Sequence, residues 1–264
     1  MAEVDIEFVK AVAKEAGDRA LQRLVGMRAE LKADNSYVTN IDRETEQFVK
    51  EMLLARYPDF AFLGEEFGRQ GDEGAPLWAV DPIDGTTNMV FGIPVWGVSI
   101  GLIHEGEAVA GALYLPRTDE LFWGVRGGGG FCNGVRLQAQ DRETLHVEDT
   151  LGFTSAAIKH LDASGLRGRL RCLGSIAADI AYTARGTLCS LIGWSEGAYD
   201  MAAALCIAKE AGCIAAYLTG EPLDLDVILR DGKTRAPFVV APPRLAAYLQ
   251  THLPHRVTSE PPQD

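Results

Sequence analysis

The chain has 264 residues, 47% of them hydrophobic, and a formal net charge of −12. That length and apolar content allow one large domain or two modest ones around a real core, and exclude a disordered chain. The acidic balance excludes a phosphate-backbone binder, which should be basic, so nucleic acid is not an expected partner.

The first residues are acidic from Glu3 on and do not read as a signal peptide. No apolar run approaches the length of a membrane span, so no membrane partner and a cytoplasmic location are expected. The five cysteines, at 132, 172, 189, 206 and 213, form no CxxC pair. They are expected to be small buried residues in a reducing compartment.

Apolar residues at Ile6, Val9, Ala13, Ala16, Ala20 and Leu24 recur at helical spacing over 4–27. Residues 30–37 read as a loop. A second helix is expected over 42–57, with Asp42 as its N-cap and Pro58 after its end. A short strand over 60–63 runs into Gly64-Glu65-Glu66, followed by a polar loop at 68–76. Leu77 to Val80 reads as a buried strand, then a turn, Asp81-Pro82-Ile83-Asp84-Gly85-Thr86-Thr87-Asn88. Strands follow at 95–103, 107–115 and 120–125, with tight Gly turns at 127–130 and 133–134.

Past a boundary placed between 141 and 142, Leu151 to Ser155 is a strand candidate. Ser175 caps a helix that ends at Gly186, and Leu188 to Ile192 is a strand. A helix over 200–211 carries Asp200 near its start and Gly212 after its end. Strands at 213–218 and 238–240 and a helix at 244–253 complete the series, with a loose tail over 258–264. An N-terminal α+β half (1–141) and a C-terminal α/β half (142–264) are thus expected to meet over the site.

The turn after Val80 carries the chemistry. Asp81 and Asp84 stand three residues apart where strand gives way to turn, and carboxylates hold a hard cation such as Mg2+. Pro82 fixes φ, Gly85 permits close backbone approach, and the following N–H groups and hydroxyls suit a phosphate. The same residues also suit a plain Asx-rich turn. Likewise Glu65-Glu66 alone reads as a solvated acidic turn, and Asp200 as a simple N-cap.

The run Trp-Ala-Val-Asp-Pro-Ile-Asp-Gly-Thr-Thr-Asn at 78–88 resembles the signature of the inositol monophosphatase family, and the likeness covers nearly the whole chain. Tyr199-Asp200-Met201-Ala202-Ala203 and Glu210-Ala211-Gly212 resemble its second motif, with Tyr199 for the usual Trp and Cys213 for the second Gly. The resemblance implies a layered αβαβα sandwich of class α/β and a homodimer, the commonest symmetric assembly. It implies phosphomonoester hydrolysis with two or three Mg2+ ions as cofactor. Metal ligands would be Glu65, Asp81, the Ile83 carbonyl, Asp84 and Asp200. Thr86 and Asp42 would form the pair that, with Glu65, orients the attacking water; Asp84, Gly85, Thr86 and Asp200 would face the phosphate. Such a site needs no covalent nucleophile. Lys32 stands before the family's Val-Thr-x-x-Asp, here Val38 to Asp42, but by itself reads as a surface lysine. Ser36 occupies a frequent Asp position.

The expected partner is a small phosphorylated polyol or sugar, with inositol 1-phosphate first. Gly193 stands where the family's inositol enzymes carry a ring-binding Glu, and Glu196 is a nearby substitute. Histidinol phosphate, fructose 1,6-bisphosphate and NADP are the alternatives, and a binding or regulatory protein on the same fold is the alternative of another class. Gly97-Val98-Ser99-Ile100-Gly101 matches the nucleophile-elbow pattern GxSxG, but Ser99 falls inside an apolar strand that leads to another strand, so no serine hydrolase is expected.

Overall fold

The computed structural model describes residues 4–33 and 35–253; the tail expected over 258–264 lies outside the described residues. Helix α1 (Ile6–Arg23) is capped by Asp5, whose carboxylate accepts from the Phe8 N–H. A hairpin of β1 (Ala29–Leu31) and β2 (Tyr37–Thr39) occupies the expected loop. Its first strand is exposed at every residue, so no apolar alternation marked it. Helix α2 (Asn40–Arg56) starts two residues before Asp42, because Thr39 is the N-cap and Asp42 closes a capping box with it.

Strands β3 (Ala61–Gly64), β4 (Gly68–Gln70) and β5 (Leu77–Asp84), helix α3 (Thr86–Phe91), then β6 (Gly97–His104), β7 (Glu107–Leu115), β8 (Glu120–Val125), β9 (Gly129–Cys132) and β10 (Val135–Arg136) follow. They build a sheet in the order β10-β9-β8-β7-β6-β5-β3-β4. Among its described residues only β3 and β5 run parallel. The second half holds β11 (Thr150–Phe153), α4 (Ser155–His160), β12 (Arg169–Arg171), α5 (Ile176–Arg185), β13 (Ser190–Gly193), α6 (Ala198–Glu210), β14 (Ile214–Tyr217), α7 (Leu225–Asp231), β15 (Phe238–Ala241) and α8 (Pro243–His252). Its sheet has the order β12-β11-β13-β15-β14.

Among the described residues, three of four hydrophobic cores order these elements into layers. α1 and α2 bury Val9, Val12, Val49 and Leu53 against Trp78, Val98 and Ile100 on one face of the large sheet. α5 and α6 are shared between the two sheets, with Ile180, Ala202 and Ile207 meeting Leu113 and Phe122 on one side and Leu191 and Val240 on the other. α4 and α8 cover the far face of the small sheet through Ala157, Leu245 and Leu249. The expected αβαβα sandwich is what the chain forms.

A file of glycines sets how deeply the central helix sits. Gly101 pairs with Gly111, Gly111 with Gly124, and Gly124 with Gly130, across four adjacent strands. A Cβ at Gly101 would lie 2.5 Å from the Ala203 nitrogen, and one at Gly111 2.5 Å from the Ala203 oxygen. One at Gly130 would lie 2.7 Å from the Ile207 oxygen. α6 therefore rests directly on sheet backbone, which no side chain larger than hydrogen permits. The GxSxG pattern dissolves into this packing: Gly101 belongs to the file, a Cβ at Gly97 would lie 2.4 Å from the Tyr114 oxygen, and Ser99 is buried inside β6.

Candidate active site

The expected turn after Val80 is a strand that continues through Asp84. The β5–β6 register pairs Asp81 with Ser99 but Asp84 with Gly97, so β5 carries one extra residue there. Such a bulge re-aims side chains and exempts Pro82 from a ladder bond. Gly85 then turns the chain at φ +90°, and the six-residue α3 begins. A cleft of about 370 Å³ opens at this point, and Glu65, Asp81, Ile83, Asp84, Gly85, Thr86 and Asp200 all line it.

Each of these groups is held by an identifiable contact. Asp84 accepts from the Ser175 hydroxyl, from Ile176 N at 3.2 Å and from Ala177 N at 2.8 Å, at the N-terminus of α5, where a carboxylate is favoured. Asp81 accepts from Ile83 N at 2.9 Å. Asp200 accepts from Gly197 N at 2.7 Å at the start of α6. Asp42 does not line the cleft but reaches it through Thr86, whose Oγ1 lies 2.7 Å from Asp42 Oδ1 and 2.9 Å from the Ile83 oxygen. One hydroxyl proton can serve only one of these acceptors. Glu46 on α2 fixes the acidic turn, accepting from Glu66 N at 2.8 Å and Phe67 N at 2.9 Å. Gly64 leaves room for that carboxylate, since a Cβ there would lie 1.9 Å from its oxygen.

Lys32, which by itself reads as a surface residue, places its Nζ 2.7 Å from Glu65 and 2.5 Å from Glu66. Glu46, Asp179, Lys159 and Lys233 carry no expectation from the sequence. Asp179, Lys159 and Lys233 line the cleft together with Glu196 and Ser175. Asp179 had a signal: it is an acid inside the otherwise apolar run Ile-Ala-Ala-Asp-Ile-Ala of α5. Gly193 is no emptied rim position. It ends β13, and a Cβ there would lie 2.4 Å from the Phe238 ring. Of the cysteines, 132, 206 and 213 are buried as expected, Cys189 is half-buried and Cys172 is exposed.

The carboxylates crowd one another. Burial, then repulsion from Asp200 and Glu66, raises Glu65 to about 7 against the opposing pull of Lys32. Asp84 and Asp200 are each raised to about 6 by burial, and Asp81 is pushed well above the ordinary carboxylate range by burial and by Glu65, Asp84 and Asp200. Among the described residues no three Asp, Glu, His or Cys side chains stand together as metal ligands; Glu65, Asp81, Asp84 and Asp200 are each turned onto a donor of their own. The donor chemistry nevertheless fits Mg2+, which takes oxygen ligands, and added positive charge would relieve the repulsion.

The model of the inositol monophosphatase family matches residues 1–253. The fructose-1,6-bisphosphatase/inositol-1-monophosphatase of Aquifex aeolicus is 32% identical over 245 residues, covering 88% of this chain and 92% of that one. The Nus factor SuhB of Pasteurella multocida is 31% identical over 221 residues, covering 79% and 83%. The crystal structure of the extragenic suppressor protein suhB from Bartonella henselae superimposes with a TM-score of 0.83 at 27% identity, covering 95% of this chain and 98% of that one. On the fold, the two motifs and these matches together, the chain belongs to the inositol monophosphatase family.

Proposed function

We propose that the protein is a Mg2+-dependent phosphomonoesterase for a small polyol or sugar phosphate, with inositol 1-phosphate as the first substrate. The observation that carries this is the gathering of Glu65, Asp81, Asp84 and Asp200, from three distant segments, around one cleft beside the start of α3. Glu65, Asp81, Asp84, Asp200 and the Ile83 carbonyl would hold two or three Mg2+ ions. Bound there, the ions would supply phosphate charge neutralisation and a water of lowered pKa. Gly85 and Thr86 offer backbone N–H groups to the phosphate, and the Thr86 hydroxyl, backed by Asp42, orients the water together with Glu65.

The metal site would grip the phosphate whatever it is attached to, so the rim sets selectivity. Exposed Lys159 and Lys233 line the cleft and favour a second anionic group, which supports fructose 1,6-bisphosphate as a further substrate. The name of the Aquifex relative points the same way. The relatives named Nus factor SuhB keep a non-catalytic role on this fold as the rival reading.

The deciding assay is phosphate release with Mg2+ from inositol 1-phosphate, fructose 1,6-bisphosphate, histidinol phosphate, NADP and adenosine 3′,5′-bisphosphate. We expect comparable kcat/KM for the first two. A preference for histidinol phosphate above about a hundredfold, roughly 2.7 kcal/mol of transition-state binding, would overturn the substrate assignment. No release from any of the five would favour the binding role.

A further inference from the structure

Asp179 stands apart from the groups that the proposed chemistry uses. It lies on α5, one turn beyond Ser175, whose hydroxyl holds Asp84. It is 1% exposed, it lines the cleft, and its Oδ1 meets no hydrogen-bond partner among the described residues. Its backbone is already satisfied: the N–H donates to the Ser175 carbonyl at 3.0 Å, and its carbonyl accepts from Thr183 Oγ1 at 2.9 Å. Helix α5 therefore does not need this side chain. A buried carboxyl oxygen without a partner is costly, and an apolar residue among Ile176, Ala178 and Ile180 would be more stable there.

We propose that Asp179 grips a hydroxyl of the substrate's organic part and so selects polyol phosphates over esters that lack hydroxyl groups. The inference rests on the phosphatase reading of the same cleft. A hydroxyl is the matching chemistry because it both donates and accepts, and so bonds a carboxyl in either protonation state. A second phosphate is a poor match, since Asp84 already sets an acidic field around Asp179. Burial, then Asp84, raises this carboxyl to about 8.

The test uses the full chain with Mg2+ and the variants Asp179→Ala and Asp179→Asn. Turnover of inositol 1-phosphate is compared with that of p-nitrophenyl phosphate, which has no hydroxyl on its organic part. For Asp179→Ala we expect the loss in kcat/KM on inositol 1-phosphate to exceed that on p-nitrophenyl phosphate by about tenfold or more, chiefly in KM. Asp179→Asn, which still bonds a hydroxyl, should recover most of that difference. Equal losses on both esters, or none on either, would overturn the role of Asp179 and leave the phosphatase reading standing. If the wild type released phosphate from neither ester, the phosphatase reading would fail. Calorimetric binding of inositol 1-phosphate would then decide: about tenfold weaker binding by Asp179→Ala supports the grip, and unchanged or undetectable binding by both proteins overturns it.

Discussion

Asp84 accepts three hydrogen bonds from the first turn of α5, so its position is set by a helix 91 residues further along the chain. Asp84→Asn keeps the shape and removes one anionic ligand. Activity should fall at least about a hundredfold with the fold retained, because Mg2+ affinity and charge stabilisation both drop. The metal-free variant loses one source of repulsion but turns one acceptor oxygen into a donor that faces the first turn of α5, so its melt should stay close to that of the wild type. Mg2+ titration of phosphate release, with thermal melts in chelator, checks both, and full activity at ordinary Mg2+ would refute the ligand role. The acids of the two motifs were readable from the sequence because they cluster in short, patterned runs. Ser175 was readable as a cap but not as the partner of Asp84, and Glu46 gave no sign of reaching Glu66 and Phe67. Those bonds depend on how distant elements stack, which residue spacing does not encode.

The glycine file on β6 to β9 governs α6, and α6 carries Asp200 at its first turn. Gly111→Ala should push that helix off the sheet. Overpacking of this kind costs about 1–3 kcal/mol. Denaturant melts should show that loss, and the Mg2+ concentration for half-maximal activity should rise as Asp200 shifts. An unchanged midpoint would mean that the helix does not rest on this backbone. Strands β6, β7 and β8 announced themselves because they are long and apolar. β4 and β12 did not: each has three residues, with β4 mostly exposed and β12 wholly so, and neither buries a face that would pattern it. α7 has Asp224 as its cap and Gly232 after its end, but seven residues are too few for a helical period to stand out. The bulge in β5 resembles a turn in sequence because Pro and Gly punctuate both.

The molecule as a whole gathers acids between its layers, and this ties stability to pH. Glu65 moves from 4.5 to about 7, and Asp84 and Asp200 from 3.8 to about 6. Groups raised in the folded state bind more protons there than in the unfolded chain. Between about pH 4 and pH 7 their contribution to stability therefore falls as pH rises. Glu120 and Asp149 are lowered and work in the opposite direction. The cleft's share is thus read as the difference between the wild type and Asp84→Asn, and in chelator that difference should widen in favour of the variant from pH 5 to pH 8. Added Mg2+ should reverse it: a ligand at a hundred times its Kd stabilises by about 2.7 kcal/mol. That is roughly 5 °C or more in melting temperature, with a smaller gain at pH 5, where the ligands hold protons. A Mg2+ gain independent of pH would contradict this account of the acidic cleft.

The most direct test is phosphate release from inositol 1-phosphate by purified protein, before chelation, after it, and after Mg2+ is restored. Metal chemistry at the Asp81–Asp84 cleft predicts turnover that chelation abolishes and Mg2+ recovers, with none recovered in Asp84→Asn. Turnover undiminished by chelation, or no phosphate released under any of the three conditions, would contradict it.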